Sequence, residues 1–171
     1  MRTSREGLRL IEEYEGFRPA LYNDAAGHCT IGYGTLVHRG PRDDADAREQ
    51  AFPDGISRDE AEQLLRSHAA QIEAAIERLV RVALNQGQFD ALVAFIYNVG
   101  LGTFASSTLL KKLNAGDYQA VPGELLRFVH AGGRPLAGLI ARRTREGELW
   151  RFGGAAPALA SREAEPATVA S

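Results

Sequence analysis

The sequence lacks three features that often indicate a function directly: several cysteines, an excess of one charge and long apolar runs. Its single cysteine, Cys29, cannot form an intramolecular disulfide, which suits synthesis in a reducing compartment. Its 20 Lys and Arg residues nearly balance its 22 Asp and Glu residues, so overall charge gives no reason to expect nucleic acid as a partner. It has no run of about 18 apolar residues, and its first residues lack the apolar stretch of a signal peptide. We therefore expect no membrane anchor and no self-directed export.

Local patterns divide the chain into an early sheet and a larger set of helices. Residues 17–36 contain short β-prone pieces separated by turn residues, which predicts a small antiparallel sheet. Elsewhere, apolar residues at helical spacing follow capping signals and predict helices. The predicted helices cover residues 4–15 behind a capping box formed by Thr3 and Glu6, then 57–79, 85–100, 107–114, 124–129 and 139–150.

These elements predict an α+β fold in one catalytic domain, residues 1–152. A small N-terminal lobe, at about 15–56, would carry the antiparallel sheet. The long helix from residue 57 would connect it to a larger helical lobe, at about 57–152 with the first helix added, and a cleft between the lobes would suit a polymeric ligand. Residues 38–55 are polar and predict a surface loop, and residues 153–171 predict a disordered tail.

Glu15, Asp24 and Thr30 form the run with the clearest chemistry. Glu15 falls at the C-terminal end of a helix, where the dipole and apolar neighbours favour a raised pKa and the role of general acid. Asp24 lies in a polar turn and should stay ionised, ready to activate water that the Thr30 hydroxyl could position. Hydrolysis of a glycosidic bond is the first hypothesis. The same residue types also occur as ordinary helix-end, turn and strand residues, so the spacing alone leaves both readings open.

Longer segments carry a resemblance to a known family. The run reads Glu15-Gly-Phe-Arg, Leu21-Tyr-Asn-Asp24 and Thr30-Ile-Gly-Tyr-Gly34, and further matching segments lie at residues 88–100, 106–117, 131–133, 138–139 and 142–143. Together they resemble the phage-type lysozymes, the endolysins of glycoside hydrolase family 24. The resemblance covers roughly residues 6–152, an extent that coincidence would hardly produce in one domain.

The resemblance implies a lysozyme-like fold and hydrolysis of the β-1,4 bond between N-acetylmuramic acid and N-acetylglucosamine in peptidoglycan, without a cofactor. It implies that Glu15 donates the proton, that Asp24 is the second catalytic carboxylate and that Thr30 places the water. Attack by that water would invert the anomeric carbon. Positions that contact the glycan in the family match Leu36, Tyr97 and Ser107.

The resemblance also implies how the protein would reach its substrate. The chain would act as a monomer on the peptidoglycan glycan strand, with no nucleic acid and no membrane anchor. It would accumulate in the host cytoplasm until a separate holin released it to the cell wall in the periplasm, or it would travel in a delivery particle. Two departures stand out: Thr35 lies where many relatives have histidine, and Pro122 and Gly123 interrupt a region usually read as continuous helix.

Other functions remain open at this stage. A lytic transglycosylase would cleave the same bond without water, and a catalytically inactive module would only bind the wall. Cys29 beside a histidine could serve a thiol amidase, although a packed strand residue is the simpler interpretation. The four histidines lack metal-ligand spacing, so we predict no metal site, and the acidic residues 43, 44 and 46 lack the pattern of an EF-hand. The last helix carries four arginines that could attract the anionic wall or pair with carboxylates of the first helix. They are Arg142, Arg143, Arg145 and Arg151.

Overall fold

The computed structural model describes residues 1–153. The tail predicted at 153–171 lies outside the described residues, apart from Gly153. Seven α-helices are described, α1 Arg5–Glu15, α2 Arg58–Leu79, α3 Gln86–Val99, α4 Leu101–Ser106, α5 Thr108–Asn114, α6 Val121–Leu125 and α7 Ala137–Phe152. The strands are β1 Arg18–Asn23, β2 Cys29–Gly32, β3 Thr35–His38, β4 His130–Ala131 and β5 Arg134–Pro135, and two 3-10 helices cover Glu49–Ala51 and Tyr118–Ala120.

The helix starts follow the capping signals in the sequence with one exception. Ser57 and Glu60 form the predicted reciprocal capping box at α2, and Asn85 and Gln88 form the one at α3. At α1 the predicted box is wrong, because Ser4 rather than Thr3 caps the helix and accepts the backbone N–H of Gly7. The hydroxyl of Thr3 instead donates a hydrogen bond to Glu73 of α2 at 2.7 Å, which ties the start of the chain to the long helix.

Helix α3 lies at the centre of the hydrophobic core. It packs against α1, α2 and α7, and its nine residues from Gly87 to Ile96 other than Gln88 are buried. The predicted apolar face of this helix, at Phe89, Leu92, Val93 and Ile96, is fully buried as expected. Helices α1 and α7 both pack on α3, and Arg142 of α7 donates a hydrogen bond to Glu15 at the end of α1.

The predicted small sheet is present and has the order β1-β2-β3, antiparallel throughout. The central strand β2 is buried along its whole length. Its partners bring Tyr22 of β1 and Leu36 of β3 to either side of Thr30. Strands β4 and β5 form a second, two-stranded antiparallel sheet. The mixture of several helices with small antiparallel sheets confirms the predicted α+β class.

Two further local predictions are wrong, and one short helix was not predicted. The helix predicted at 124–129 begins earlier, at Val121, and includes the Pro122-Gly123 pair, because a proline in the first turn of a helix sacrifices only an N–H that has no partner in the helix. The short helix α4 was not predicted. Residues 38–55 are more than a surface loop, because the side chains of His38 and Glu49 are buried there. Among residues 1–153, no helix combines the length and apolarity that a membrane span requires.

Candidate active site

Glu15 is the last residue of α1, and its carboxylate is fixed from two sides. Nη1 of Arg142 in α7 donates a hydrogen bond to Oε1 at 2.7 Å. On the other side lies Gly34, in the turn between β2 and β3, where an added Cβ would stand 3.3 Å from Oε2 of Glu15. The Glu15 side chain keeps 20% of its surface exposed. The carboxyl group therefore lies at the junction of the first helix and the sheet and remains open to solvent.

Asp24 begins the turn that joins β1 to β2. Its Oδ1 accepts the backbone N–H of His28 at 2.8 Å and that of Ala26 at 2.9 Å. The N–H of His28, more than that of Ala26, lowers the pKa of the Asp24 carboxyl below its ordinary value, because both bonds favour the charged form. This direction agrees with the expectation that a polar turn keeps Asp24 ionised.

Thr30 lies on the central strand β2, close to Asp24 in the preceding turn. The residue is buried, and its hydroxyl donates to the carbonyl of His28 at 3.0 Å. The same hydroxyl is close enough to the Asp24 carboxylate to contribute to the lowered pKa of that group. The structure thus brings Asp24 and Thr30 together through the turn at 24–28.

Tyr22 is a neighbour of both carboxylates that received no role from the sequence. Burial raises the pKa of the Tyr22 phenol, Arg18 opposes the rise, and the charges of Glu15 and Asp24 add to it. A side chain that responds to both carboxylates lies within reach of each, and Tyr22 also pairs with Thr30 across the two strands. The sequence does carry a signal for this position. Tyr22 lies near the end of a predicted strand, two residues before Asp24, and alternate residues of an extended chain face the same side.

Leu36 lies beside Thr30, and Tyr97 lies near Glu15. Leu36 pairs with Thr30 across β2 and β3 and is 49% exposed, so an apolar side chain faces solvent beside β2. The Tyr97 hydroxyl donates to the carbonyl of Tyr33 at 2.7 Å. Burial, together with the charge of Glu15, raises the pKa of the Tyr97 phenol, which indicates that this ring and the Glu15 carboxylate are neighbours.

Ser107 has a different environment from the other predicted site residues. It is buried and forms the N-cap of α5, where its Oγ accepts the N–H of Leu110 at 3.1 Å and donates to the carbonyl of Phe104 at 2.7 Å. All of these contacts lie within residues 104–110. The hydroxyl already stabilises a helix start, so its predicted contact with glycan would have to use its remaining lone pair.

Arg142 joins the Glu15 carboxylate to a buried ion network. Besides Glu15, its guanidinium bonds Glu146 at 3.2 Å and the carbonyl of Ala94 at 3.1 Å. Glu146 is fully buried and receives two more bonds, each of 2.6 Å, from Nη1 of Arg143. Burial raises the pKa of Glu146, while the two guanidinium groups oppose the rise. Of the two uses considered for these arginines, Arg142 therefore pairs with the first helix.

The contacts of Cys29 argue against a thiol amidase. The residue is completely buried, and burial, followed by the neighbouring Glu49 carboxylate, raises the pKa of its thiol to about 11. A catalytic cysteine needs the opposite, an accessible thiol with a lowered pKa. The acidic residues of the same loop accept local hydrogen bonds, Asp46 from the guanidinium of Arg48 and Asp43 from the N–H of Ala45, which agrees with their interpretation as loop residues.

Comparison with known proteins decides the family. Residues 12–146 match the family model described as phage lysozyme. The chain belongs to the phage lysozyme family. It is 37% identical over 154 residues to the endolysin of Acyrthosiphon pisum secondary endosymbiont phage 1, an alignment that covers 88% of this chain and 98% of the relative. It is 39% identical over 155 residues to the endolysin of Bacillus phage B103, covering 90% of this chain but 55% of that longer protein.

The three-dimensional comparison agrees with the family assignment. The crystal structure of a variant P22 lysozyme superimposes with a TM-score of 0.75 at 36% identity, over 88% of this chain and 99% of that one. The predicted lysozyme-like fold and the predicted family are therefore confirmed. The residue bounds of the two lobes stay a prediction.

Proposed function

We propose that this phage lysozyme family protein cleaves the β-1,4 bond between N-acetylmuramic acid and N-acetylglucosamine with Glu15 as general acid. In this proposal Asp24 activates a water molecule that the Thr30 hydroxyl helps to place, and Leu36, Tyr97 and Ser107 contact the glycan. No cofactor takes part. The hydrolytic activity follows from membership of the family, and the roles of the individual residues are the proposal.

The observation that carries the proposal is the contrast between the surroundings of the two carboxylates. Asp24 receives two backbone N–H groups and lies beside a hydroxyl, which favours a permanent negative charge and a place for water. Glu15 lies at the negative end of the α1 dipole, pairs with Arg142 and keeps access to solvent. Two carboxyl groups in different surroundings can divide acid and base roles.

We further propose that the reaction inverts the anomeric carbon. Inverting glycosidases separate their carboxyl groups by roughly 6.5–9.5 Å to admit water, and retaining ones by about 5 Å. Asp24 and Thr30 provide a carboxylate and a hydroxyl for that water. NMR of freshly formed products from a defined glycan should show the α-anomer first, and initial formation of the β-anomer would reject this proposal.

A lysis assay on cells with a permeabilised outer membrane tests the assignment of Glu15. The Glu15→Gln variant should clear cells at least about 100-fold more slowly than wild type, because general acid catalysis contributes on the order of 10²–10⁴ in rate. Glu13→Gln is the matched control, since Glu13 is an exposed carboxylate two residues earlier on the same helix. Equal clearing by wild type and Glu15→Gln would remove Glu15 from the mechanism.

The alternatives give distinct outcomes. A lytic transglycosylase would leave anhydromuramyl ends, so mass spectra that contain these ends and lack reducing muramic acid would contradict hydrolysis. The presence of both Asp24 and Thr30 favours the hydrolase, because a transglycosylase needs no group to place water. An inactive wall-binding module would bind peptidoglycan but clear no cells, even as wild type.

We propose that the protein acts as a monomer and reaches peptidoglycan by a route that another component supplies. The route would be a separate holin that releases protein from the host cytoplasm to the wall in the periplasm, or a delivery particle. Light scattering tests the first statement, and expression with and without a holin in intact cells tests the second.

A further inference from the structure

Three buried side chains converge on the face of β2 opposite Thr30. Cys29 comes from the start of β2, His38 from the end of β3, and Glu49 from the first turn of the 3-10 helix at Glu49–Ala51. Their exposed fractions are 0%, 5% and 4%. The Cys29 Sγ, an imidazole nitrogen and a carboxylate oxygen all lie within 4.8 Å of one another. We call this group the Cys29 cluster.

The imidazole of His38 is oriented as it would be in a metal ligand. Its Nδ1 lies 3.2 Å from the carbonyl of Arg39, and its Nε2 points into the Cys29 cluster, 2.7 Å from Oε1 of Glu49. Histidines that bind metals usually give their other ring N–H to a backbone carbonyl or a carboxylate, which fixes the ring and its tautomer. His38 already has that backbone contact.

One oxygen in the Cys29 cluster lacks a hydrogen bond. Oε1 of Glu49 accepts from His38 and from the N–H of Asp43, but Oε2 is buried without a hydrogen-bond partner among residues 1–153. Its ion-pair partner is Nε of Arg42, which lies 3.5 Å away and does not meet hydrogen-bond geometry. A buried carboxylate oxygen without a partner is costly, and a cation in the cluster would satisfy it.

We propose that Cys29, His38 and Glu49 bind a zinc ion. Thiolate, imidazole and carboxylate are the ligand types of protein zinc sites, and tetrahedral coordination would place the three ligand atoms about 3.3–3.6 Å apart. Each atom of the Cys29 cluster would need to move by roughly 1 Å or less to reach that spacing. Oδ2 of Asp46, 4.0 Å from Nε2 of His38, or a water molecule would complete the coordination.

The exchange is balanced in charge. One Zn²⁺ enters, and two protons leave to solvent, one from the Cys29 thiol and one from the hydrogen bond between Nε2 of His38 and Oε1 of Glu49. The net charge of the cluster is unchanged, so the nearby Arg42 and Arg48 experience no added repulsion. The ion would join the loop after β3 to the central strand, whose next residue, Thr30, faces the predicted water.

This proposal departs from the sequence prediction of no metal. The three ligands come from separate segments, 9 and 11 residues apart, and lack the short paired spacings that mark zinc sites in a sequence. The alternative is that the Cys29 cluster is only a buried ion pair between His38 and Glu49. Binding experiments with the metal alone distinguish the two.

Zinc chloride should bind the chelator-treated wild-type protein with a stoichiometry of one ion per chain in equilibrium dialysis. Cobalt(II) chloride should give the intense near-ultraviolet band of thiolate-to-cobalt charge transfer, since Cys29 is the chain's sole thiol. This measurement needs no variant. Saturable binding without that band would remove Cys29 from the site, and the absence of saturable zinc binding would reject the site altogether.

Variants test the remaining ligands. Cys29→Ser and His38→Gln should each weaken zinc binding at least about 100-fold, with circular dichroism used to verify folding. His130→Gln is the matched control, because His130 is an exposed histidine on β4. Loss of zinc binding in this control but not in His38→Gln would assign the ion to the surface and overturn the proposal.

Discussion

Replacement of Arg142 by lysine should weaken both the fold and catalysis. Arg142 is 4% exposed and bonds three groups at once, the carboxylates of Glu15 and Glu146 and the carbonyl of Ala94. A lysine keeps the charge, but its single ammonium group cannot reach three partners that lie in different directions. The substitution therefore removes about two hydrogen bonds to or from charged groups.

The loss of stability in Arg142→Lys can be estimated from the number of hydrogen bonds removed. A hydrogen bond that involves a charged group contributes about 1.5–3 kcal/mol, so the loss of two predicts a decrease of about 3–6 kcal/mol in the free energy of unfolding. Glu146 remains paired with Arg143, which keeps the decrease from being larger. For a domain of this size the melting temperature should fall by roughly 10 °C. Most of the protein should still be folded at room temperature.

The catalytic effect should appear in kcat rather than in KM. Arg142 positions Glu15 without touching the reacting atoms in our proposal, and displacement of a catalytic group by about 1 Å can reduce the rate on the order of 100-fold. Kinetics on a soluble peptidoglycan fragment, well below the melting temperature, would separate the two parameters. A double-mutant cycle with Glu15→Gln should give a coupling energy of about 1 kcal/mol or more in urea unfolding.

Arg145→Lys provides the matched control. Arg145 lies one turn further along α7 and pairs with Glu148 at 2.7 Å, but both side chains are about half exposed. Such a surface pair contributes at most about 1 kcal/mol, so this variant should keep its stability and its kcat. If Arg142→Lys matched Arg145→Lys in both measurements, the contact between Arg142 and Glu15 would have no role in positioning.

Three further substitutions test the site. Gly34→Ala should cost about 1–2 kcal/mol of stability because the φ of Gly34 is +77°. It should also lower kcat, because the new Cβ would lie against the Glu15 carboxylate. Gly116→Ala is the control: the φ of Gly116 is similar but the space around it is open, so the melting temperature should fall in the same way while kcat is retained. Thr30→Val removes the hydroxyl while keeping the shape, so kcat should fall while Thr30→Ser retains activity, and equal rates for both would exclude a role for the hydroxyl. Leu36→Ala should raise KM with little change in melting temperature, since the side chain is half exposed, and an unchanged KM would exclude it from glycan binding.

The part of the site that could be predicted from the sequence is the part that local structure builds. Glu15, Asp24 and Thr30 lie within 16 consecutive residues, and the helix end, the polar turn and the returning strand that place them each leave a local signal. Capping residues and apolar spacing likewise predicted α2 and α3 almost to the residue. Local rules suffice there because each element's boundary depends on neighbours in the chain.

Contacts between distant segments could not be predicted in the same way. Arg142 reaches Glu15 across 127 positions, and nothing in the four arginines of the last helix distinguishes the one that faces α1. Tertiary packing of α1 and α7 on α3 makes that choice. The burial of His38 and Glu49 in a segment of polar composition has the same origin, because each polar group found a charged partner only after the loop folded onto β2.

The two carboxylates therefore depend on different levels of structure. The charge of Asp24 is favoured by backbone N–H groups within four residues, together with the side chains of His28 and Thr30. The position of Glu15 depends on a helix at the other end of the domain, whose buried network also stabilises the fold. A substitution in α7 can thus reach the proposed general acid without any contact with substrate. The proposed base responds only to changes in its own hairpin and the strand beside it.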